Sequence, residues 1–262
     1  MNIKTLLDDG NLTGAIDLVT QQVRNNPTQS DLRVSLFELL SLKGDWDRAE
    51  KQLDVLLHQD ASLQLGIQVY LNIIKAERNR IQLFEKGNPP HFMSEPPAYV
   101  DYLLEAINAL RGSQFEEALQ LMEKAEEERP ALSGTLNGKS FKDFRDAYEL
   151  TAPVLELIIH DKYTWVPWQE IRSVEIQPPR QLRDMLWAPA RIEAKTGAMG
   201  EVYLHALYPQ SSSHSNPQIQ LGRMTEWGKA GGEVYIPAGL RLFVVDEQDV
   251  PIFEAKSIHF SD

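Results

Sequence analysis

The sequence contains no cysteine among its 262 residues. This excludes disulfide bonds, thiolate metal ligands and a cysteine nucleophile, and it is compatible with a reducing compartment. Long apolar runs are missing too, since no stretch reaches the roughly 18–20 apolar residues that a membrane span needs. The first residues carry acids early and lack the apolar core of a signal peptide. We therefore expect a cytoplasmic protein.

The chain has fewer basic than acidic residues. The chain has 26 Lys and Arg against 38 Asp and Glu, which gives a formal net charge of −12. Most of this charge falls on residues 1–160, which carry −9. An acidic surface repels phosphate backbones and anionic lipids. We therefore expect no nucleic-acid or membrane partner, and a basic protein partner is the better match.

Signatures of catalysis are also lacking. No glycine-rich phosphate loop is present, and no two of the six histidines have the spacing of a helical metal site. The serines beside His214 lack the glycine-flanked turn of a serine nucleophile. We predict no enzyme, no cofactor and no metal. The alternative is an enzyme or a small-ligand-binding protein whose site lies between two halves of the chain, which a pocket of buried ionisable groups would favour.

Residues 1–160 have the apolar spacing of amphipathic helices. Residues 32–57 predict a helical hairpin that turns at Gly44, with Asp45 as the N-cap of its second helix. Four positions recur at a spacing of about 34 residues, the period of tetratricopeptide-like (TPR-like) hairpins. These pairs are Gly10 and Gly44, Leu12 and Trp46, Ala15 and Ala49, and Val19 and Leu53.

The remaining helical half is less regular. A looser third copy of the repeat contains Phe115, Ala118 and Met122. Residues 65–84 predict one long helix, the proline-rich residues 85–99 predict a loop, and residues 133–144 predict a second loop. A last helix is predicted over 141–160.

From about residue 162 the pattern changes to short segments rich in β-branched and aromatic residues. Residues 241–260 predict a terminal hairpin that turns at 247–249. The fold class is therefore α+β: TPR-like helical hairpin repeats over residues 1–160, then a small β-rich, barrel- or sandwich-like domain over residues 161–262.

The segment "LRDMLW" (182–187) places two charged residues among large apolar ones, with prolines on both sides. We interpret it as a domain junction formed by Arg183, Asp184 and Trp187. A short helical turn would direct its apolar residues at the core. Arg183 would then meet an acid of the helical half, because a partly buried guanidinium requires a partner.

Several segments together resemble the ImpE family, also called SciE or TagJ, accessory proteins of bacterial type VI secretion. They are "RVSLFELLSLKGDWDRAEKQL" (33–53), "DAYELTAPVLELI" (146–158), "KYTWVPWQEI" (162–171), "LRDMLWAPARI" (182–192) and "LGRMTEWG" (221–228). Ser41 stands where relatives often have cysteine.

The resemblance implies a cytoplasmic, non-enzymatic virulence-associated adaptor. It would bind the N-terminal helix of the small contractile-sheath subunit, TssB, and connect indirectly to ClpV, the ATPase that recycles the sheath. Helical repeats offer grooves for such a helix. As partner-binding residues we select four that we expect to be exposed, namely Arg33, Glu38, Asp47 and Arg48.

Overall fold

The computed structural model describes residues 2–59 and 61–261. Helices fill the first part of the chain, and the prediction of helical hairpins is confirmed. They are α1 (Ile3–Asp8), α2 (Leu12–Asn25), α3 (Ser30–Leu42), α4 (Trp46–Gln59), α5 (Gln64–Lys86), α6 (Ala98–Arg111) and α7 (Phe115–Glu128). Within the described residues no helix has both the length and the apolar character to span a bilayer.

The α3–α4 hairpin shows why the sequence repeats. Gly44 adopts a positive φ of 72° at the turn, a conformation that glycine accepts without steric cost. The Asp45 carboxylate then accepts a hydrogen bond from the backbone N–H of Arg48, as an N-cap does. Ala49 is fully buried, so the two helices can approach closely. Gly10, one repeat earlier, has a matching φ of 75°.

The long helix α5 is confirmed, and it holds a central place in the molecule. It ends at Gly87, which takes a left-handed conformation at the C-cap. Glu77 and Arg80 on α5 are buried although both are charged. The helix also contacts β5 of the sheet, so it lies between the helical hairpins and the sheet.

Strands follow the helices. They are β1 (Gly134–Leu136), β2 (Lys139–Phe141), β3 (Phe144–Asp146), β4 (Val154–Ile159), β5 (Lys162–Pro167), β6 (Ile171–Ile176), β7 (Trp187–Ala194), β8 (Met199–His205), β9 (Thr225–Gly231), β10 (Val234–Gly239), β11 (Leu242–Val245), β12 (Gln248–Pro251) and β13 (Ser257–Phe260). A one-turn helix, α8 (Pro217–Gln220), precedes β9.

An antiparallel eight-stranded sheet dominates this half, in the order β2-β1-β13-β6-β7-β8-β4-β5. A three-stranded sheet (β12-β11-β3) and a two-stranded ribbon (β10-β9) accompany it. The outer edge of β5 is not free. The proline-rich loop after α5 runs parallel to it, with His91 N–H donating to the Tyr163 carbonyl at 2.9 Å and Trp165 N–H donating to the His91 carbonyl at 3.0 Å.

The large sheet has a core on each face. Along β4, Val154 and Ile158 belong to the core shared with the helices, whereas Leu155 and Leu157 belong to a second core. In that second core Phe144 and Phe243 of the small sheet pack against Trp168, with ring centroids 4.9 and 5.6 Å away. The β half is therefore sandwich-like, and helices cover its other face.

The predicted helix over 141–160 is wrong. This segment contains β3, β4 and the end of β2, because its apolar residues are buried on both faces of a strand rather than along one side of a helix. The predicted loop over 133–144 is likewise a β-hairpin. The first strand thus begins at Gly134, before the domain boundary predicted at residue 160. The division of the chain into two domains at residue 160 remains a prediction.

The predicted terminal hairpin is correct in part. β11 and β12 pair around a turn at Asp246 and Glu247, with Val245 opposite Gln248. β13 does not continue this hairpin, since it crosses to the large sheet and pairs with β1 and β6.

Candidate functional site: the junction between the helices and the sheet

The segment "LRDMLW" forms the predicted helical turn, a short 3-10 helix over Leu182–Met185. Asp184, the third residue of this helix, completes a capping box at its start: its carboxylate accepts hydrogen bonds from the backbone N–H groups of Arg180 and Gln181 at 2.8 and 2.9 Å. The hydrogen-bond partners of the Asp184 carboxylate therefore lie in its own turn. This turn directs the neighbouring side chains towards the helices.

Arg183 reaches across to the helical half. Its guanidinium donates to the Glu38 carboxylate at 2.5 Å and to the Tyr70 hydroxyl at 2.7 Å. It also lies over the Tyr70 ring, 4.9 Å from the centroid. Burial raises the pKa of Glu38, and the Arg183 charge only partly offsets this. The pair thus links α3 to the segment before β7.

Trp187 is the apolar centre of this junction and is 1% exposed. Its ring lies 6.2 Å from each of the rings of Phe37, Trp46 and Tyr70, measured between centroids. Its indole N–H donates to the Glu77 carboxylate at 2.7 Å. The first residue of β7 is therefore held by α3, α4 and α5 together.

Deeper in the junction lies a group of fully buried charges. Arg80 of α5 donates two hydrogen bonds to the carboxylate of Glu156 on β4, at 3.1 and 3.2 Å. Arg241, just before β11, donates to both Glu156 and Asp146. Burial alone would raise the pKa of Glu156, but the two guanidinium groups outweigh it and hold the pKa below its usual range.

A second buried pair adjoins this group. His205 Nδ1 lies 3.0 Å from the Glu77 carboxylate, which can only accept, so the proton belongs on Nδ1. Burial and the Arg80 charge lower the pKa of His205, although Glu77 opposes them. The pKa of Glu77 is lowered as well, because His205 and Arg80 outweigh the effect of its burial.

A ligand site between the two halves would need several buried ionisable residues. The cluster supplies such residues, namely Glu77, Arg80, Asp146, Glu156, His205 and Arg241. Its members are at most 6% exposed, and their charged groups are hydrogen-bonded to each other or to neighbouring groups. Among the buried side-chain atoms described for this cluster, His205 Nε2 is the one without a partner. The arrangement therefore joins α5 to the sheet and does not present an open, reactive group.

This cluster is not among the site residues predicted from the sequence, although one signal was available. Glu156 sits inside the apolar run "VLELII", and Arg241 inside "LRLFVV". A charged residue at a position that the pattern assigns to the core requires a partner of opposite charge. What the pattern does not reveal is the partner, since Arg80 and Glu156 are 76 positions apart.

The four residues selected for partner binding lie on α3 and α4, but not all are exposed. Glu38 is 7% exposed and paired with Arg183, so its expected exposure is wrong. Asp47 and Arg48 are exposed, as expected; Asp47 contacts Arg78 at 2.8 Å, and Arg48 contacts Asp45 at 3.1 Å. Arg33 is half-buried and donates to the Pro27 carbonyl.

Metal-binding chemistry gains no support from the geometry. In residues 2–59 and 61–261, no three His, Asp or Glu side chains are placed to hold a metal ion together.

Comparison with known proteins shows the family of this chain. It is 33% identical over 260 residues to the type VI secretion system accessory component TagJ of Pseudomonas aeruginosa, covering 99% of this chain and 91% of that protein. The chain belongs to the ImpE family. The ImpE sequence profile matches residues 138–259, and a tetratricopeptide-repeat profile matches residues 6–64.

A solved structure has the same fold. The crystal structure of protein VPA1032 from Vibrio parahaemolyticus superposes with a TM-score of 0.92 at 25% identity, covering 99% of this chain and 97% of that one. The α+β fold and the family resemblance predicted from sequence are thus confirmed. The kinship with TagJ supports an accessory role in type VI secretion.

Proposed function

We propose that this protein is a non-enzymatic, cytoplasmic adaptor of a type VI secretion system. It would bind the N-terminal helix of the TssB-type small sheath subunit and so link the sheath indirectly to ClpV-dependent recycling. The match to the accessory component TagJ over nearly the whole chain is the observation that carries this proposal. The repeat architecture of residues 6–64 fits a protein partner.

The helical half offers a face for such a helix. Three apolar side chains of α4 and α5 are exposed: Val55 at 37%, Leu65 at 85% and Val69 at 38%. Leu65 and Val69 are four residues apart and so lie on one side of α5. Exposed apolar side chains on neighbouring helices are what the apolar stripe of an amphipathic helix can cover. The candidates Arg33, Asp47 and Arg48 lie on α3 and α4 and would meet its charged side chains.

The packed junction favours an adaptor over the alternative of a ligand site between the halves. Its ionisable groups are paired and buried, so a small molecule would have to break those pairs to enter. Breaking a buried pair costs about 3–5 kcal/mol. The junction instead supports a rigid connection between the repeats and the sheet.

Binding of a labelled peptide with the N-terminal sequence of the cognate sheath subunit tests the proposal. We expect the full-length chain to bind it and the double variant Leu65→Asp, Val69→Asp to lose about tenfold or more in affinity, because two apolar contacts become charged. Met93→Asp with Met199→Asp is the matched control, since both are exposed apolar residues outside α4 and α5, at 55% and 61%. Absence of binding to the sheath peptide would overturn the proposal; equal loss in both variants would overturn the proposed face.

A further inference from the structure

A groove of about 450 Å³ lies between α7 and the residues that connect β3 to β4. Its apolar lining comes from Leu119, Met122 and Ala125 of α7 and from Ala152 and Pro153 on the opposite side. Met122 and Ala125 are almost fully buried and form the floor. A single large apolar side chain from outside could cover this floor.

Acidic side chains surround the floor. Glu123, Glu126 and Glu127 project from α7, and Glu149 faces them from the connecting segment. Glu126 is paired with Arg129 at 2.6 Å, whereas Glu123 and Glu127 form no ion pair within the part of the chain that the structure describes. Arg145 is the cation among the lining residues. The rim therefore carries an excess of negative charge.

The surroundings of Glu149 change its pKa. Its pKa is raised, first by burial and then by the charges of Glu126 and Glu123, while Arg145 acts in the opposite direction. An added cation at the rim would relieve this repulsion. The groove thus combines an apolar floor with a rim on which acidic side chains outnumber the cation Arg145.

We propose that this groove is a second docking site, distinct from the α4–α5 face, for a short basic segment of a protein partner. One apolar side chain of that segment would lie over Met122. Lysine or arginine residues on either side of it would reach Glu123, Glu127 and Glu149. Charge complementarity selects this occupant, because polyanions are repelled and a second copy of this chain would bring its own net charge of −12.

Methyl NMR on the full-length protein tests the groove directly. The chain has six methionines, of which Met122 lies in the floor while Met93, Met199 and Met224 are exposed elsewhere. The probe is a nine-residue peptide with a central leucine flanked by lysines. Titration should shift the Met122 methyl signal and leave those of the three exposed methionines in place.

Variants separate specific docking from general attraction. Glu123→Gln with Glu127→Gln should weaken peptide affinity about tenfold, because the rim loses two charges. Glu105→Gln with Glu116→Gln is the control: these exposed acids of α6 and α7 do not line the groove, and the change in net charge is the same. A peptide with serine in place of leucine should bind about tenfold more weakly than the leucine peptide.

The opposite results would overturn the proposal. They are an unmoved Met122 signal at saturating peptide, equal losses in the test and control variants, or equal affinity for the leucine and serine peptides. A Met122 shift that follows protein concentration without peptide would assign the groove to a second copy of the chain. The sheath-peptide experiment is read out at α4 and α5, so either proposal can fail without the other.

Discussion

Trp187 contacts the aromatic rings of three residues and the Glu77 carboxylate, so its side chain joins three helices to β7. Trp187→Ala should lower the free energy of unfolding by roughly 3–5 kcal/mol, as other large aromatic truncations in cores do. Trp227→Ala is the control, because Trp227 is 40% exposed. Urea denaturation followed by circular dichroism measures both. Similar midpoints for the two variants would contradict a core role of Trp187.

His205 makes stability depend on pH in a definite direction. Its pKa is lowered in the folded state, so below the ordinary value of 6.5 the unfolded chain takes up a proton that the folded chain resists. The contribution of His205 to the free energy of unfolding is therefore complete above pH 6.5. It falls as the pH drops towards the pKa of His205 in the folded state, by up to about 1.4 kcal/mol per pH unit for one group. The lowered pKa of Glu77 adds a loss in the same direction at more acidic pH, below 4.5.

His205→Asn tests this linkage, because the asparagine amide can still donate to Glu77. The variant should lose less stability than the parent between pH 7.5 and pH 5.5 in urea denaturation. His58→Asn at an exposed position on α4 should behave like the parent. An unchanged pH dependence in His205→Asn would show that other groups cause it.

At the scale of elements, two glycines of α5 and its C-cap should respond to alanine in opposite ways. Gly66 is helical, and a methyl group there would meet open space. Gly66→Ala should therefore stabilise the protein by about 0.5–1 kcal/mol through higher helix propensity. Gly87→Ala should destabilise it, because φ is +76° and the new methyl would lie 2.3 Å from the Asn108 side-chain oxygen. Thermal melts of the two variants should shift in opposite directions, and shifts of the same sign would refute this account.

The hairpin and strand elements also show what the sequence could predict. The α3–α4 hairpin was predictable because its apolar period, its turn glycine and its cap are all local. The β1–β2 hairpin carried a local signal as well, Asn137 and Gly138, both with positive φ and typical of a two-residue hairpin turn. It was missed because each flanking strand is very short.

Strand β4 was missed for a different reason. "VLELII" is buried on both faces, so it has no alternation, and an apolar run of this length fits a buried helix equally well. The buried charges of the junction could be flagged but not paired from sequence. Which guanidinium reaches Glu156 depends on where α5 meets the sheet, a long-range property.

For the molecule as a whole, the junction predicts joint unfolding of the two halves. One apolar core contains Leu39 and Leu40 of α3 together with Trp165 and Trp187 of the sheet. The Arg80–Glu156 pair crosses the same boundary. Neither half can separate from the other without exposing apolar surface and buried charged groups to water. We expect one cooperative transition, with far-ultraviolet circular dichroism and tryptophan fluorescence coinciding in urea; two separated transitions would contradict this.

The loop along β5 has a consequence for the behaviour of many copies together. A bare outer strand offers a row of unpaired amide and carbonyl groups, a template on which another chain can polymerise. His91 occupies two such groups, the Tyr163 carbonyl and the Trp165 amide, with its own backbone. Prolines before and after it, at 89, 90, 96 and 97, cannot donate hydrogen bonds and so cannot extend a ladder outward. The loop thereby terminates the sheet at β5, and we expect it to prevent fibre growth from this edge in concentrated solutions.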